Sequence, residues 1–98
     1  MTIDKALNGT ELTVALSGRL DTTTSPQLEE ELKASLSGVE CLILDLAALD
    51  YLSSAGLRVI LFAQKTMNKQ GEMVVKNANE TILEIFEVTG FADILTLA

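Results

Sequence analysis

The sequence predicts an α/β fold, a small mixed β-sheet with an N-terminal antiparallel hairpin, central parallel strands and helices packed against it. Three observations carry that expectation. Leu12, Val14 and Leu16 alternate with Glu11, Thr13 and Ala15, the period of a strand with one buried face. Cys41-Leu42-Ile43-Leu44 is apolar without a break, as strands at the centre of a parallel sheet usually are. Before and after that run, apolar residues recur at helical spacing, so helices and strands take turns along the chain and parallel crossovers follow.

The elements can be placed in order. Residues 3–7 and 11–17 read as two strands joined through Asn8-Gly9, a pair suited to the positive φ angles of a tight hairpin. Gly18-Arg19-Leu20-Asp21 reads as a bend or a short strand end. The hydroxyl-rich run Thr22-Thr23-Thr24-Ser25 before Pro26 is a helix start, because a side-chain oxygen can accept an orphan N–H and proline loses nothing in the first turn. Thr24 and Gln27 have the spacing of a capping box. That helix runs to about residue 36, with Leu28, Leu32 and Leu36 on one stripe, and Ser37-Gly38 ends it. The central strand spans 41–46, and a loop over 47–53 leads into a second helix over 54–69, ended near Gln70-Gly71. A strand at 73–76 follows. Asn79 is placed to cap a helix over 80–88, with Ile82, Ile85 and Phe86 inward and Gly90 past its end. Residues 91–97 read as a short helix or turn returning to the core.

Composition narrows the function. The 98 residues are expected to form one domain over 1–98, since either half would be too small to bury a core of its own. Hydrophobic residues are 48% and aromatics 4%, so the core must be built from Leu, Ile, Val and Ala. The formal net charge is −7, from 14 acidic and 7 basic residues. Such a surface repels nucleic acid and anionic lipid and is compatible with a protein partner that offers a basic patch. The absence of His removes the commonest general base and metal ligand. No catalysis, metal or cofactor is expected, and Asp21, Asp45 and Asp50 read as caps or turn residues. The apolar stretches 41–44 and 59–63 are too short to cross a bilayer. Met1-Thr2-Ile3-Asp4-Lys5 has neither the basic start nor the apolar run of a signal peptide. The one cysteine, Cys41, reads as a small core residue. Together these features point to the cytoplasm.

Chemistry concentrates in Asp50-Tyr51-Leu52-Ser53-Ser54-Ala55-Gly56-Leu57-Arg58. The segment joins a central strand to a helix, where open α/β sheets tend to place their ligand sites. A serine there meets unpaired N–H groups and the positive end of the helix dipole. Two roles remain open for Ser53 and Ser54: a plain helix cap, or acceptor of a phosphate that this terminus would stabilise. At about 100° per residue, Gly56, Val59, Ile60, Ala63 and Met67 share one helix face. Ser54, Arg58, Leu61, Phe62, Lys65 and Lys69 share the opposite arc. The lysines mark that arc as the solvent side. Leu61 and Phe62 then read either as part of a docking surface, or with Phe62 tucked under a loop or the C-terminal helix.

Several segments resemble the signatures of STAS-domain anti-sigma factor antagonists. They are Gly18-Arg19-Leu20-Asp21, Leu42-Ile43-Leu44-Asp45-Leu46, Leu52-Ser53-Ser54-Ala55-Gly56-Leu57, Gly71-Glu72-Met73-Val74-Val75 and Ile85-Phe86-Glu87-Val88-Thr89-Gly90-Phe91. The resemblance covers essentially the whole chain, in order. It implies a partner switch. The unphosphorylated form binds an anti-sigma factor that is also a serine protein kinase, and the sigma factor is released. The kinase phosphorylates a serine before the second helix, the complex breaks, and a serine phosphatase resets it. By the Gly-Leu pair of the motif the acceptor is Ser54, with Asp21 at the family's nearby acid. Ser53, Ala55, Gly56, Arg58, Leu61 and Phe62 then belong to the partner-binding surface, on a chain that is a monomer when free. Members commonly carry Asp before the acceptor and Ser or Thr after it. Here those positions are Ser53 and Ala55, which makes Ser53 a rival acceptor. Two alternatives stay open: a STAS scaffold subunit of a larger signalling or transport complex that is not phosphorylated, and a nucleotide-binding STAS domain. Against the second, the chain has no Gly-rich phosphate loop ending in Lys-Ser/Thr.

Overall fold

In a computed structural model describing residues 1–98, the alternating N-terminal segments pair as antiparallel strands β1 (Thr2–Asn8) and β2 (Glu11–Leu20). Helix α1 (Ser25–Ser35), strand β3 (Cys41–Leu52), helix α2 (Ser54–Asn68), strand β4 (Glu72–Lys76) and helix α3 (Glu80–Val88) follow, with a 3-10 turn at Phe91–Asp93. The sheet order is β1-β2-β3-β4, and both β2–β3 and β3–β4 are parallel. The predicted mixed sheet is therefore the one observed. Each helical crossover joins neighbouring strands and steps the same way across the sheet, so right-handed connections bring α1 and α2 to one face. Burial agrees. Leu12, Val14, Leu16, Leu42, Leu44, Leu46, Met73 and Val75 are at most 4% exposed, while Thr13, Ala15, Cys41, Ile43 and Val74 on the other face are only half-buried.

Cys41 is thus not the core residue expected of it. It lies on the uncovered face, and partial burial, with Glu72 and Glu11 nearby, raises its thiol pKa. The core forms between the sheet and the helices. Leu28, Leu32, Ile60, Ala63, Met67, Ile82 and Phe86 meet the inward side chains of the strands there. No helix is long and apolar enough to cross a membrane.

Four boundaries differ from expectation. The hairpin register pairs Asn8 with Glu11, so the two-residue loop is Gly9-Thr10, not Asn8-Gly9. Gly9 takes the positive φ of 64° that the tight turn requires. The proposed Thr24–Gln27 capping box does not form, because Thr24 makes no side-chain cap bond and its hydroxyl is engaged elsewhere. The C-terminal residues extend beyond the 3-10 turn, and Leu97 bridges to Val75 at the β4 edge.

The fourth difference is the largest: residues 47–52, expected as loop, continue β3. Between the pairs Ala15–Asp45 and Ser17–Ala48, β3 advances one residue more than β2, and it does so again between Gly18–Leu49 and Arg19–Tyr51. These bulges bend the strand and carry the inward face to Leu46, Leu49 and Leu52, spaced by three. A period of three hides a strand from a test for alternation.

Asn79 caps α3 as expected. Its Oδ1 accepts the Ile82 N–H at 2.9 Å, and its Nδ2 donates to the Leu49 carbonyl at 3.2 Å. One side chain thereby starts the helix and ties it to the extended end of β3.

Candidate functional site

Strands β2 and β3 end side by side at the paired residues Leu20 and Leu52, both buried. The Ser53 N–H donates to the Leu20 carbonyl at 2.9 Å. Two segments therefore leave the sheet from one point: residues 21–24 ahead of α1, and Ser53 ahead of α2.

The first segment is tied by its own side chains. Asp21 Oδ1 accepts the N–H groups of Thr23 and Thr24, each at 3.0 Å. Thr24 Oγ1 donates to the Arg19 carbonyl at 2.8 Å and accepts the Asp21 N–H at 2.9 Å. Ser25 Oγ donates to the Asp21 carbonyl. The Thr24 N–H bond is the main reason the Asp21 carboxyl titrates below its ordinary range, against a smaller opposing desolvation. Asp21 is thus a fixed negative charge at neutral pH, at the sheet end from which Ser53 also leaves.

The second segment gives its two serines different jobs. Ser53 has extended backbone (φ −94°, ψ 172°), and its hydroxyl oxygen accepts the Gly56 N–H at 3.2 Å, so Ser53 is the α2 cap. Ser54 is the first residue of the helix, is exposed, and makes no side-chain hydrogen bond within the chain. Ala55 is half-buried and Gly56 is buried. A Cβ on Gly56 would stand 2.7 Å from Leu52 Cδ1 and 2.8 Å from Leu20 Cγ. A glycine lets the first turn of α2 rest on the two strand ends, where a Cβ would push both leucine side chains aside.

This division of labour is measurable. Ser53→Ala should cost about 1 kcal/mol through loss of the cap, or roughly 4–8 °C in melting temperature for a domain of this size. Ser54→Ala should stay within about 0.5 kcal/mol of wild type. Thermal melts followed by circular dichroism separate the two.

Along α2, Gly56, Val59, Ile60, Ala63 and Met67 are buried as expected, joined by Leu57 and Gln64, which helix phase had not assigned to that face. Arg58 is exposed, and Leu61 and Phe62 are half-buried. Phe62 packs in part against the core. Lys33 Nζ of α1 lies over its ring, 5.8 Å from the centroid. Arg58, Leu61, Phe62, Lys65, Thr66 and Lys69 line an open groove of about 430 Å³.

Two further residues reach the rim. Arg19 lies over the Tyr51 ring at 4.2 Å and stands 3.8 Å from the Asp21 carboxylate, and Tyr51 is 40% exposed. The bulged register places Tyr51 opposite Arg19. With Tyr51 read as loop, nothing in the sequence linked it to Arg19.

No group of three or more carboxylate or thiol side chains stands close enough to hold a metal ion. Away from the serines, Asp45 accepts the Ala47 N–H and the Asn77 amide, each at 3.0 Å, and the Asn77 bond leads in lowering its pKa. For both depressed aspartates the sign is the same. Each contributes stability above the unfolded value of about 3.9, and that contribution is lost as pH falls through the lower folded pKa. Urea unfolding at stepped pH should therefore show stability level above about pH 5 and falling below about pH 4, with a shallower fall in Asp45→Asn.

Comparison with known proteins adds an independent view. The STAS domain family model matches residues 2–98. BtrV of Bordetella bronchiseptica, provisionally named an anti-sigma factor antagonist, is 40% identical over 100 residues, covering 100% of this chain and 84% of its own. The anti-sigma F factor antagonist of Paenibacillus polymyxa is 33% identical over 89 residues, covering 88% of this chain and 76% of its own. The crystal structure of an anti-sigma factor antagonist from Mycobacterium paratuberculosis superposes with a TM-score of 0.89 at 24% identity, over 98% of this chain and 83% of that one.

Proposed function

The chain belongs to the STAS domain family, and we propose that within it this protein is an anti-sigma factor antagonist acting in the cytoplasm by reversible binding. The unphosphorylated form docks on an anti-sigma factor that is also a serine protein kinase, and the sigma factor is released. Docking uses the end of the sheet and the outer arc of α2, namely Asp21, Ser53, Ala55, Arg58, Leu61 and Phe62, whereas Gly56, expected on this surface, is buried beneath it against Leu20 and Leu52. The bound kinase then transfers the γ-phosphoryl group of ATP to Ser54. The new Oγ–P bond replaces the hydroxyl O–H, ADP leaves, and the complex dissociates. Hydrolysis by a serine phosphatase restores the hydroxyl.

The observation that carries this reading is the pairing of a committed serine with a free one. Ser53 Oγ is held by the Gly56 N–H, whereas Ser54 Oγ is exposed and unbonded at the first position of α2. A kinase can take Ser54 without unmaking the helix start. The helix dipole and free N–H groups favour the added charge, so the fold tolerates the product. The test is capture of the full chain from its source cells, followed by mass spectrometry of the chain and its partners. Phosphate is expected on Ser54, with an anti-sigma factor kinase bound to the unmodified form and absent from the modified one. Phosphate confined to Ser53, or a partner that holds both forms alike, would refute the reading.

A further inference from the structure

The groove on α2 carries a charge opposite to that of the rest of the molecule. Of 7 basic residues in a chain with 14 acidic ones, Arg58, Lys65 and Lys69 line this one groove, and no acidic residue lines it. The three ion pairs of the structure use Lys5, Arg19 and Lys33, so these three cations form no ion pair within the chain. Lys33, over the Phe62 ring, adds a fourth at the edge, and its own partner Glu29 is 4.0 Å away. From Arg58 to Lys69 the stripe runs for three turns of helix, about 16 Å, with Leu61 and Phe62 between the cations.

We infer that the partner segment seated in this groove is acidic: a stretch of protein that places an apolar side chain against Leu61 and Phe62 and carboxylates against Arg58, Lys65 and Lys69. The inference rests on the proposed docking role of α2 and supplies the chemistry of what docks there. Net charge alone pointed to a basic partner surface; the arrangement of charge points the other way at this groove. Covering three unpaired cations with a neutral or basic surface costs desolvation with no return, whereas carboxylates compensate it and steer the encounter. Away from the groove and its edge the 14 acidic residues outnumber the 3 remaining basic ones, so the rest of the surface disfavours an acidic segment. That repulsion makes the groove selective.

The test places photo-reactive benzoylphenylalanine in the full chain at position 61, and separately at position 51 on the serine side, with illumination in the source cells. The adduct at position 61 is expected to map to a segment in which Asp and Glu exceed Lys and Arg. The double variant K65E/K69E should lower its yield about tenfold while the domain stays folded, its melting temperature falling only by the loss of two bases at the C-terminal end of α2. An adduct on a neutral or basic segment, one indifferent to K65E/K69E, or one with a second copy of this chain overturns the inference. So does micromolar binding of magnesium ATP that K65E/K69E abolishes, since the groove then serves a small anion. If position 51 captures the anti-sigma factor kinase and position 61 captures nothing, the groove inference falls and the proposed function stands. If position 61 captures an acidic segment of a protein that is neither kinase nor anti-sigma factor, the proposed function falls and the groove inference stands.

Discussion

Ser54→Asp should weaken binding to the anti-sigma factor kinase by about 2 kcal/mol, or roughly thirtyfold, while Ser54→Ala binds close to wild type. Phosphoserine, with about −1.5 to −2 charges in place of one, should cost about 3 kcal/mol and exceed a hundredfold. The asymmetry comes from where the charge lands. Within the free chain it meets the N-terminus of α2, whose dipole and open N–H groups favour an anion, so the melting temperature of Ser54→Asp should not fall. Within the complex the same charge must be desolvated in a packed interface or force the partner away. Helix spacing adds a second cause. Arg58 is four residues beyond Ser54 and exposed like it, and an acidic group at position 54 pairs with a base there. That pairing withdraws a cation from the groove proposed to receive the partner. Isothermal titration of the purified kinase with the three chains decides the matter. Equal affinity for wild type and Ser54→Asp would end the switching mechanism, whatever the fate of the fold.

Sequence and structure agree where one local rule acts alone. The inward row Leu12, Val14 and Leu16 was legible because strand alternation is undisturbed there, and Asn79 was legible because its cap uses a single side chain at fixed spacing. The reading failed where pairing between strands overrides local pattern. Residues 47–52 alternate poorly because two bulges against β2 shift the inward face to every third residue. Misreading that stretch also concealed the Arg19–Tyr51 stack, which exists only in the bulged register. At the start of α1 three threonines and a serine competed for the cap, and the sequence offered Thr24. The preceding acid, Asp21, holds two of the N–H groups instead, a geometry that needs the strand end at Leu20 to aim it. The two adjacent serines were chemically equivalent on paper. Backbone conformation separates them, since only the residue with extended φ and ψ can turn its oxygen back onto Gly56.

Gly71→Ala should destabilise the domain by about 3 kcal/mol and lower its melting temperature by more than about 10 °C. Sequence reading assigned Gly71 only the task of ending α2, yet its backbone does not occupy the positive-φ region that would explain a glycine. The reason is contact. A Cβ there would lie 1.8 Å from the Glu40 carbonyl oxygen and 2.6 Å from its carbon. Both sides of that clash are main chain, so no side chain can swing away. The chain is also pinned on either side of the clash: the Gly71 N–H donates to Met67 at 2.7 Å and the Glu72 N–H to Glu40 at 3.0 Å. Relief therefore requires β4 to part from the start of β3, exposing Met73 and Val75. Gly38→Ala is the informative control. Gly38 has φ +79° but open space around its Cβ position, so its cost is backbone strain alone, about 1 kcal/mol. Chemical denaturation of the two variants distinguishes steric from conformational glycine. A Gly71→Ala protein as stable as Gly38→Ala would mean that β4 does not enter against Glu40. The clash lies beyond the C-terminal end of α2, whereas Ser54 stands at its N-terminus. The loss of affinity on Ser54→Asp should therefore persist in the folded fraction of Gly71→Ala, which keeps loss of fold separable from loss of switching.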